Sequence, residues 1–300
     1  MTISYLLQQL VNGLVLGSQY ALFAAGLTLI FGVLRILNVA HGAVFMWGGM
    51  AALVLVTKAG FPLALGVIGG GLASAAISVF LNRVGFLRLR KKPTNTFVDG
   101  LAPFVASIGF MMLLVNLAQH VFGSSVWRFP SEHLPTGVFT FWGLYVTKGQ
   151  LYVLIPSILI ILGFHYFIAH SRTGMAIRAI AFDPTIPRLL GIPVEPIITR
   201  VFLLAGLIAG IAGSLTGIAF SVGPFMAHDV LLKGFAAIIL GGLGSLGGSL
   251  LGGIIIGLSE VLGVTLISSD FKDLTAFLVL FLVLLVRPQG LFGKKEEIRA

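Results

Sequence analysis

The sequence predicts an all-α integral membrane protein that crosses the bilayer eight or nine times. Three observations predict it. Apolar residues fill 57% of the 300 positions against 10% charged, with a mean hydropathy of +1.06, too little charge to cover a soluble domain of this size. The apolar runs suit helical spans of roughly 20 residues each. No run shows the alternating pattern of a β-barrel, so the spanning backbone must close its own hydrogen bonds as helices.

Taken in order, the expected spans are 5–30, 38–56, 62–82, 100–122, 150–169, 198–220 and 271–286. The apolar region 229–266 is too long for one ordinary span, and Gly241, Gly242, Gly244, Gly247 and Gly248 cluster near its middle. Read as two short segments turning at that cluster it gives nine crossings; read as one re-entrant hairpin it gives eight. The whole chain, 1–300, reads as one transmembrane domain.

Charge sets the orientation. Arg83, Arg88, Arg90, Lys91 and Lys92 form one basic loop, and Arg172, Arg178, Arg188 and Arg200 mark another. With Arg35, Arg287, Lys294, Lys295 and Arg299 they place 14 of the 19 basic residues on one side. Lys58, Arg128, Lys148, Lys233 and Lys272 fall on the other. The positive-inside rule makes the larger group cytoplasmic, with the N-terminus outside and the C-terminus inside. The net charge of +9 thus belongs to membrane-flanking loops and not to nucleic-acid binding. The first twenty residues lack a basic n-region and do not read as a cleaved signal peptide.

Two stretches look extramembranous. Residues 123–149 fall outside and carry Trp127, Phe129, Trp142 and Tyr145, suited to an interface or a docking partner. Residues 171–196 fall inside. Ser171 or Thr173 is placed to cap a short helix that Pro184 ends, and Arg188–Gly191 makes a second turn. Two short helices exceed what a connector needs and read as a docking surface.

Within the membrane, Gln8, Asn12 and Gln19 share one face of the first span with Gly26. Such a stripe must turn from lipid, either to bond other helices or to line a solute path. Gly66, Gly70, Ser74 and Ser78 recur every fourth residue, as do Gly206, Gly210 and Ser214, and Ser249, Gly253 and Gly257. Small residues at this spacing let backbones approach closely. Asn38 reads as an N-cap that sets His41 in the first turn of the second span, as a packed histidine or a pathway contact. Glu260 is the one carboxylate well inside an apolar run, on the face of Gly253 and Gly257, and is a candidate functional group. Asp229 and Lys233, four apart, are expected to pair.

Several chemistries are excluded. Without cysteine there is no disulfide, thiolate metal site or cysteine nucleophile. No phosphate-binding loop, His-Glu-x-x-His pair or nucleophile elbow occurs. The expectation is a transport subunit, not an enzyme, with no cofactor or metal of its own.

Taken together, Leu6–Gly13 with Leu16–Leu22, Asn38–Gly42, Ser171–Gly174, Arg178-Ala179, Leu189–Ile192, Lys233–Phe235, Leu240–Ser245 and Val286–Gly293 resemble the LivH-type permease of branched-chain amino acid ABC importers. The likeness runs nearly the full length. The chain departs from that pattern at Ala43, Phe182 and Gly247. The resemblance implies a permease of a prokaryotic inner membrane that imports branched-chain or related small amino acids by alternating access. Its partners would be a second, LivM-type permease, two cytoplasmic ATPases carrying ATP-Mg, and an external solute-binding protein. The expected pathway residues are then Gln8, Asn12, Gln19, Asn38, His41 and Glu260. The expected ATPase-coupling residues are Gly174, Arg178, Asp183, Arg188 and Gly191. The glycines of the cluster, with Gly253 and Gly257, would act as hinge and packing. The alternatives are a proton-coupled secondary transporter, a urea or short-amide ABC permease, or a receptor-like scaffold.

Overall fold

The computed structural model describes residues 3–90, 96–141 and 143–293. Twelve α-helices occur among them: α1 (Ile3–Leu34), α2 (Ala40–Thr57), α3 (Leu63–Leu81), α4 (Leu87–Arg90), α5 (Thr96–Phe122), α6 (Lys148–His170), α7 (Arg172–Phe182), α8 (Thr185–Leu189), α9 (Val194–Ala219), α10 (Met226–Gly241), α11 (Leu246–Leu266) and α12 (Lys272–Val286). Lys91, Lys92, Trp142, Lys294, Lys295 and Arg299 lie outside the described residues.

Among the described residues, seven helical stretches are long and apolar enough to cross a membrane: α1, α2, the α3–α4 unit, α5, α6, α9 and α11. The apolar helices α10 and α12 have 16 and 15 residues. At 1.5 Å rise per residue each is about 24 Å or less, under the ~30 Å hydrocarbon core. The basic loop expected after residue 82 is helical: a π-turn over Asn82–Phe86 carries α3 on into α4, as far as Arg90. The Asn82 side chain holds this turn by donating to Thr199 Oγ1 of α9 at 3.2 Å and accepting from Arg90 at 3.1 Å.

The core is made where helix backbones nearly touch. Residues 17–30 of α1 are buried on every side, with α11 as the most extensive neighbour of this helix. A Cβ on Gly17 would stand 2.8 Å from Ile254 Cα, and one on Gly253 would stand 2.5 Å from Ala21 Cα. A second seam joins α2, α3 and α9. There a Cβ on Gly210 would lie 2.5 Å from Ser74 Cβ and 2.6 Å from the Gly70 carbonyl. Without a hydrophobic gradient between helix and lipid, packing of this kind is what holds membrane helices together. Ser74, Ser78 and Ser214 give their hydroxyls to the carbonyls of Val44, Phe202 and Gly48 across the same seam. By contrast α5, α6 and α12 sit at the periphery and expose Met112, Leu159 and Phe281, as lipid-facing helices do.

The glycine cluster separates α10 from α11. Gly242 and Gly244 take φ of +102° and +83°, and Ser245 caps α11 by accepting from the Gly248 amide. Positive φ strains any residue with a Cβ, which accounts for glycine at these two positions. The chain after α12 returns to this turn, where the Leu291 and Phe292 amides donate to the carbonyls of Leu240 and Gly241 at 2.8 and 3.0 Å.

Residues 123–149 hold more order than their composition suggests. An antiparallel hairpin pairs β1 (Val138–Phe141) with β2 (Leu144–Thr147). Trp127 bridges Val222, three residues past the end of α9, through two backbone hydrogen bonds. Thr147 and Gln150 then form a reciprocal capping box that starts α6.

Candidate functional site

A cavity of about 850 Å³ opens at the end of the bundle where α1, α6, α10 and α12 begin and α9 and α11 end. This is also the hairpin end. Val15, Leu16, Val230, Val261 and Val264 supply its apolar walls, and Asn12, Gln19, Gln150, Thr216, Glu260 and Lys272 its polar groups.

The polar stripe of α1 is divided between two jobs. Gln8 leaves the cavity and clasps β2, accepting from the Tyr145 amide at 2.8 Å and donating to the Tyr145 carbonyl at 3.0 Å. Asn12 accepts from the Gln150 side chain at 2.9 Å, and Gln19 donates to Ser157 Oγ at 3.0 Å. Asn12 and Gln19 thus bond α1 to α6 while lining the cavity.

Glu260 is 1% exposed and is not isolated. Tyr20 of α1 donates to its Oε2 at 2.9 Å, Lys233 Nζ of α10 stands 3.3 Å from the same oxygen, and Lys272 Nζ of α12 stands 2.8 Å from Oε1. Lys233 also pairs with Asp273. The expected pairing of Lys233 with Asp229 is therefore corrected: the lysine turns inward to the buried acid, which needs a counter-charge far more than an acid at the helix start. The four helices meeting at Glu260 explain why α10 and α12, each short, are held in register.

Asn38 and His41 do not reach the cavity. The residue at the cap position is Val39, itself in helical geometry, and the buried Asn38 Oδ1 accepts no hydrogen bond among the described residues. This corrects the expected N-cap. His41 is fully buried beneath Gly26 and the Phe23 ring, whose centroid is 5.0 Å from its own. A Cβ on Gly26 would meet His41 Nε2 at 2.9 Å, so this glycine makes room for the imidazole.

The other end of the bundle carries α7 and α8, between the end of α6 and the start of α9. Ser171 caps α7 by accepting from the Gly174 amide at 2.9 Å. Gly174 lies so close to α6 that a Cβ would stand 2.8 Å from the Ile168 carbonyl carbon. Arg178 donates to the carbonyls of Ile168 and Ala169, closing the carbonyl end of α6 where a cation is favoured. Arg178 therefore sets the α6–α7 angle with its own guanidinium. Asp183 accepts from the Thr185 amide at 2.7 Å, and Gly191 takes a φ of +75° after α8. The Thr185 amide and hydroxyl hold the Asp183 carboxyl below the usual carboxylate range. Around these anchors Met175, Phe182, Ile186, Leu189 and Leu190 are exposed, Phe182 and Leu189 by 82%.

Glu195 was not among the expected site residues. It takes Arg90 at 3.2 Å and Arg188 at 3.8 Å, tying α8 to the end of the third span. Its signal in the sequence was an acid between two prolines in a basic loop. Tyr20, Gln150, Thr216 and Lys272 were equally unforeseen at the cavity. Nothing in their spacing joins them, because each comes from a different helix.

The chain matches the family model described as "Branched-chain amino acid transport system / permease component" over residues 9–286. It is 33% identical, over 97% of both chains, to the high-affinity branched-chain amino acid transport system permease protein LivH of Salmonella typhimurium. Identity is also 33%, over 98% of both, to the corresponding permease BraD of Pseudomonas aeruginosa. It is 28% to the probable LivH of Methanocaldococcus jannaschii, over 91% of this chain and 88% of that one. On this evidence the chain is a multi-pass transport subunit, not an enzyme, and belongs to the branched-chain amino acid transport permease family.

Proposed function

We propose that this chain is one permease of an ATP-driven importer for branched-chain or related small amino acids, working by alternating access. The observation that carries the reading is the cavity. It sets a carboxylate, an ammonium group and amides against an apolar wall, as a zwitterion with an aliphatic side chain requires. With α10 and α12 as short crossings the chain passes nine times. The cavity then faces outward, toward an external solute-binding protein, in the inner membrane of a prokaryote.

At the opposite, cytoplasmic end, α7 and α8 form the seat for an ATPase subunit that carries ATP-Mg. Gly174, Arg178, Asp183, Arg188 and Gly191 hold the shape of that seat, and the exposed side chains of Phe182, Leu189 and Leu190 make the contact. Glu195 connects it to α9 and to the third span. A second permease, of the LivM type, completes the path.

The test is purification of the tagged chain from its native membrane in mild detergent, then reconstitution and uptake of radiolabelled leucine. ATP-dependent uptake by a complex that retains an ATPase in near-equal amount, both lost in Phe182→Asp/Leu189→Asp, is the expected result. Uptake by the lone chain without ATP, following the proton gradient, would sink the reading in favour of a secondary transporter.

A further inference from the structure

Glu260 is served by two lysines that differ in kind. Lys233 is 6% exposed and is tied to Asp273 as well, so it is a fixed counter-charge on Oε2. Lys272 is 53% exposed, lines the cavity and reaches Oε1 from the cavity side. That approach is close, at 2.8 Å, yet Oε1 accepts no aligned hydrogen bond. Lys272 thus holds Oε1 from the cavity side, where an entering cation would meet the same oxygen.

The surrounding charge favours a further cation. Asp229 also lines the cavity. Glu260, Asp273 and Asp229 against Lys233 and Lys272 leave this group one negative charge in excess. A primary ammonium arriving in the cavity would find a carboxylate whose present partner is a half-exposed lysine on a flexible stem.

The geometry points to Lys272 as an internal stand-in for the ammonium group of an α-amino acid, and to Glu260 Oε1 as the subsite that the substrate takes from it. On arrival the substrate ammonium, with three donors in rotatable geometry, makes the aligned hydrogen bonds that Lys272 does not. The displaced Lys272 then stands free to receive the substrate carboxylate. The exchange conserves the number of cations paired with Glu260, so the buried acid is never left bare, a state that would be costly. Tyr20, donating to Oε2, and Lys233 keep the carboxylate aimed throughout. The apolar side chain of the substrate lies against Val261 and Val264, one and four residues on from Glu260. This subsite rests on the cavity being the solute path.

The experiment measures binding to the purified, detergent-solubilised transporter complex, without ATP or solute-binding protein, by calorimetry. Three probes are used: leucine, 4-methylpentanoate, which lacks the ammonium, and 3-methylbutylamine, which lacks the carboxylate. In the wild type leucine should bind at least tenfold tighter than either analogue. In Lys272→Gln leucine should weaken about tenfold, whereas 3-methylbutylamine should bind as tightly as before or tighter, since Glu260 is uncovered. Glu260→Gln should lose both. If that variant fails to assemble, Lys272→Gln alone decides, because its lysine is half exposed. Parallel weakening of leucine and amine in Lys272→Gln, or unchanged leucine binding, overturns the subsite. Absence of leucine binding to a wild-type complex that imports leucine also overturns it while leaving the transport reading intact. A complex that neither binds nor imports leucine fails both.

Discussion

Gly17 of α1 and Ile254 of α11 pass so close that a Cβ on Gly17 would stand 2.8 Å from the Ile254 Cα and 2.9 Å from its carbonyl oxygen. Both obstacles are backbone, so no side-chain rotation relieves them. The same holds at Gly253 against Ala21. The α1–α11 seam is thus a contact of two backbones that only glycine permits.

Overpacking this seam should be costly. Gly17→Leu and Gly253→Leu should each destabilise by about 1–3 kcal/mol or more. Gly247 has open space around it, and Gly247→Ala should change stability by less than about 0.5 kcal/mol or raise it. Thermal denaturation in detergent, read by size-exclusion chromatography, separates the two classes. Equal tolerance at Gly17 and Gly247 would rule out the seam.

The two lysines at Glu260 should differ in structural weight. Lys233→Met removes a buried partner and should cost roughly 3 kcal/mol. Lys272→Met removes a half-exposed one and should cost under about 1 kcal/mol. Adding Glu260→Gln to Lys233→Met should restore part of the loss, because the buried carboxylate, then held only by the half-exposed Lys272, is gone. Melting temperatures of the single and double variants form the cycle that checks this.

Arg178 should matter as the clamp between α6 and α7. Arg178→Glu puts an anion on the carbonyl end of α6, which repels it. Protection of the 168–178 amides against hydrogen exchange should fall, and ATPase recovery with it, at least tenfold. Arg178→Lys should keep most of both. An Arg178→Glu chain that retains its partner would show that the angle of α7 is held by other contacts.

The link between α7 and α8 should respond to acid. The folded Asp183 carboxyl lies below its unfolded value, so its contribution is present above the unfolded pKa of about 4 and is lost as pH falls through the folded one. The protection of α8 amides, measured against the intrinsic exchange rate at each pH, should be steady from neutral pH down to about 4 and fall below it. In Asp183→Ala the same amides should show low protection at all pH values. No step below 4 in the wild type would show that Asp183 does not hold this turn.

The membrane class, the order of the long helices and the two short helices after Ser171 were legible in the sequence. Each rests on local rules: apolar length, capping residues and positive loop charge. The small-residue repeats also announced close packing, because a four-residue period puts small residues on one helix face whatever the partner. The partner itself was not legible. Nothing in the spacing of Ser74 or Gly210 says that α3 meets α9.

The site divided in the same way. Glu260 stood out because an acid inside an apolar run is costly anywhere along the chain. Its partners Tyr20, Lys233 and Lys272 did not stand out, since they lie up to 240 residues away in sequence. Lys233 looked like the local partner of Asp229 and Lys272 like a surface charge until the fold brought four helices together. Local periodicity determined which faces turn inward. Only tertiary packing decided which inward groups share one cavity, because a long-range ion pair is specified by the geometry of the whole bundle and by no single segment.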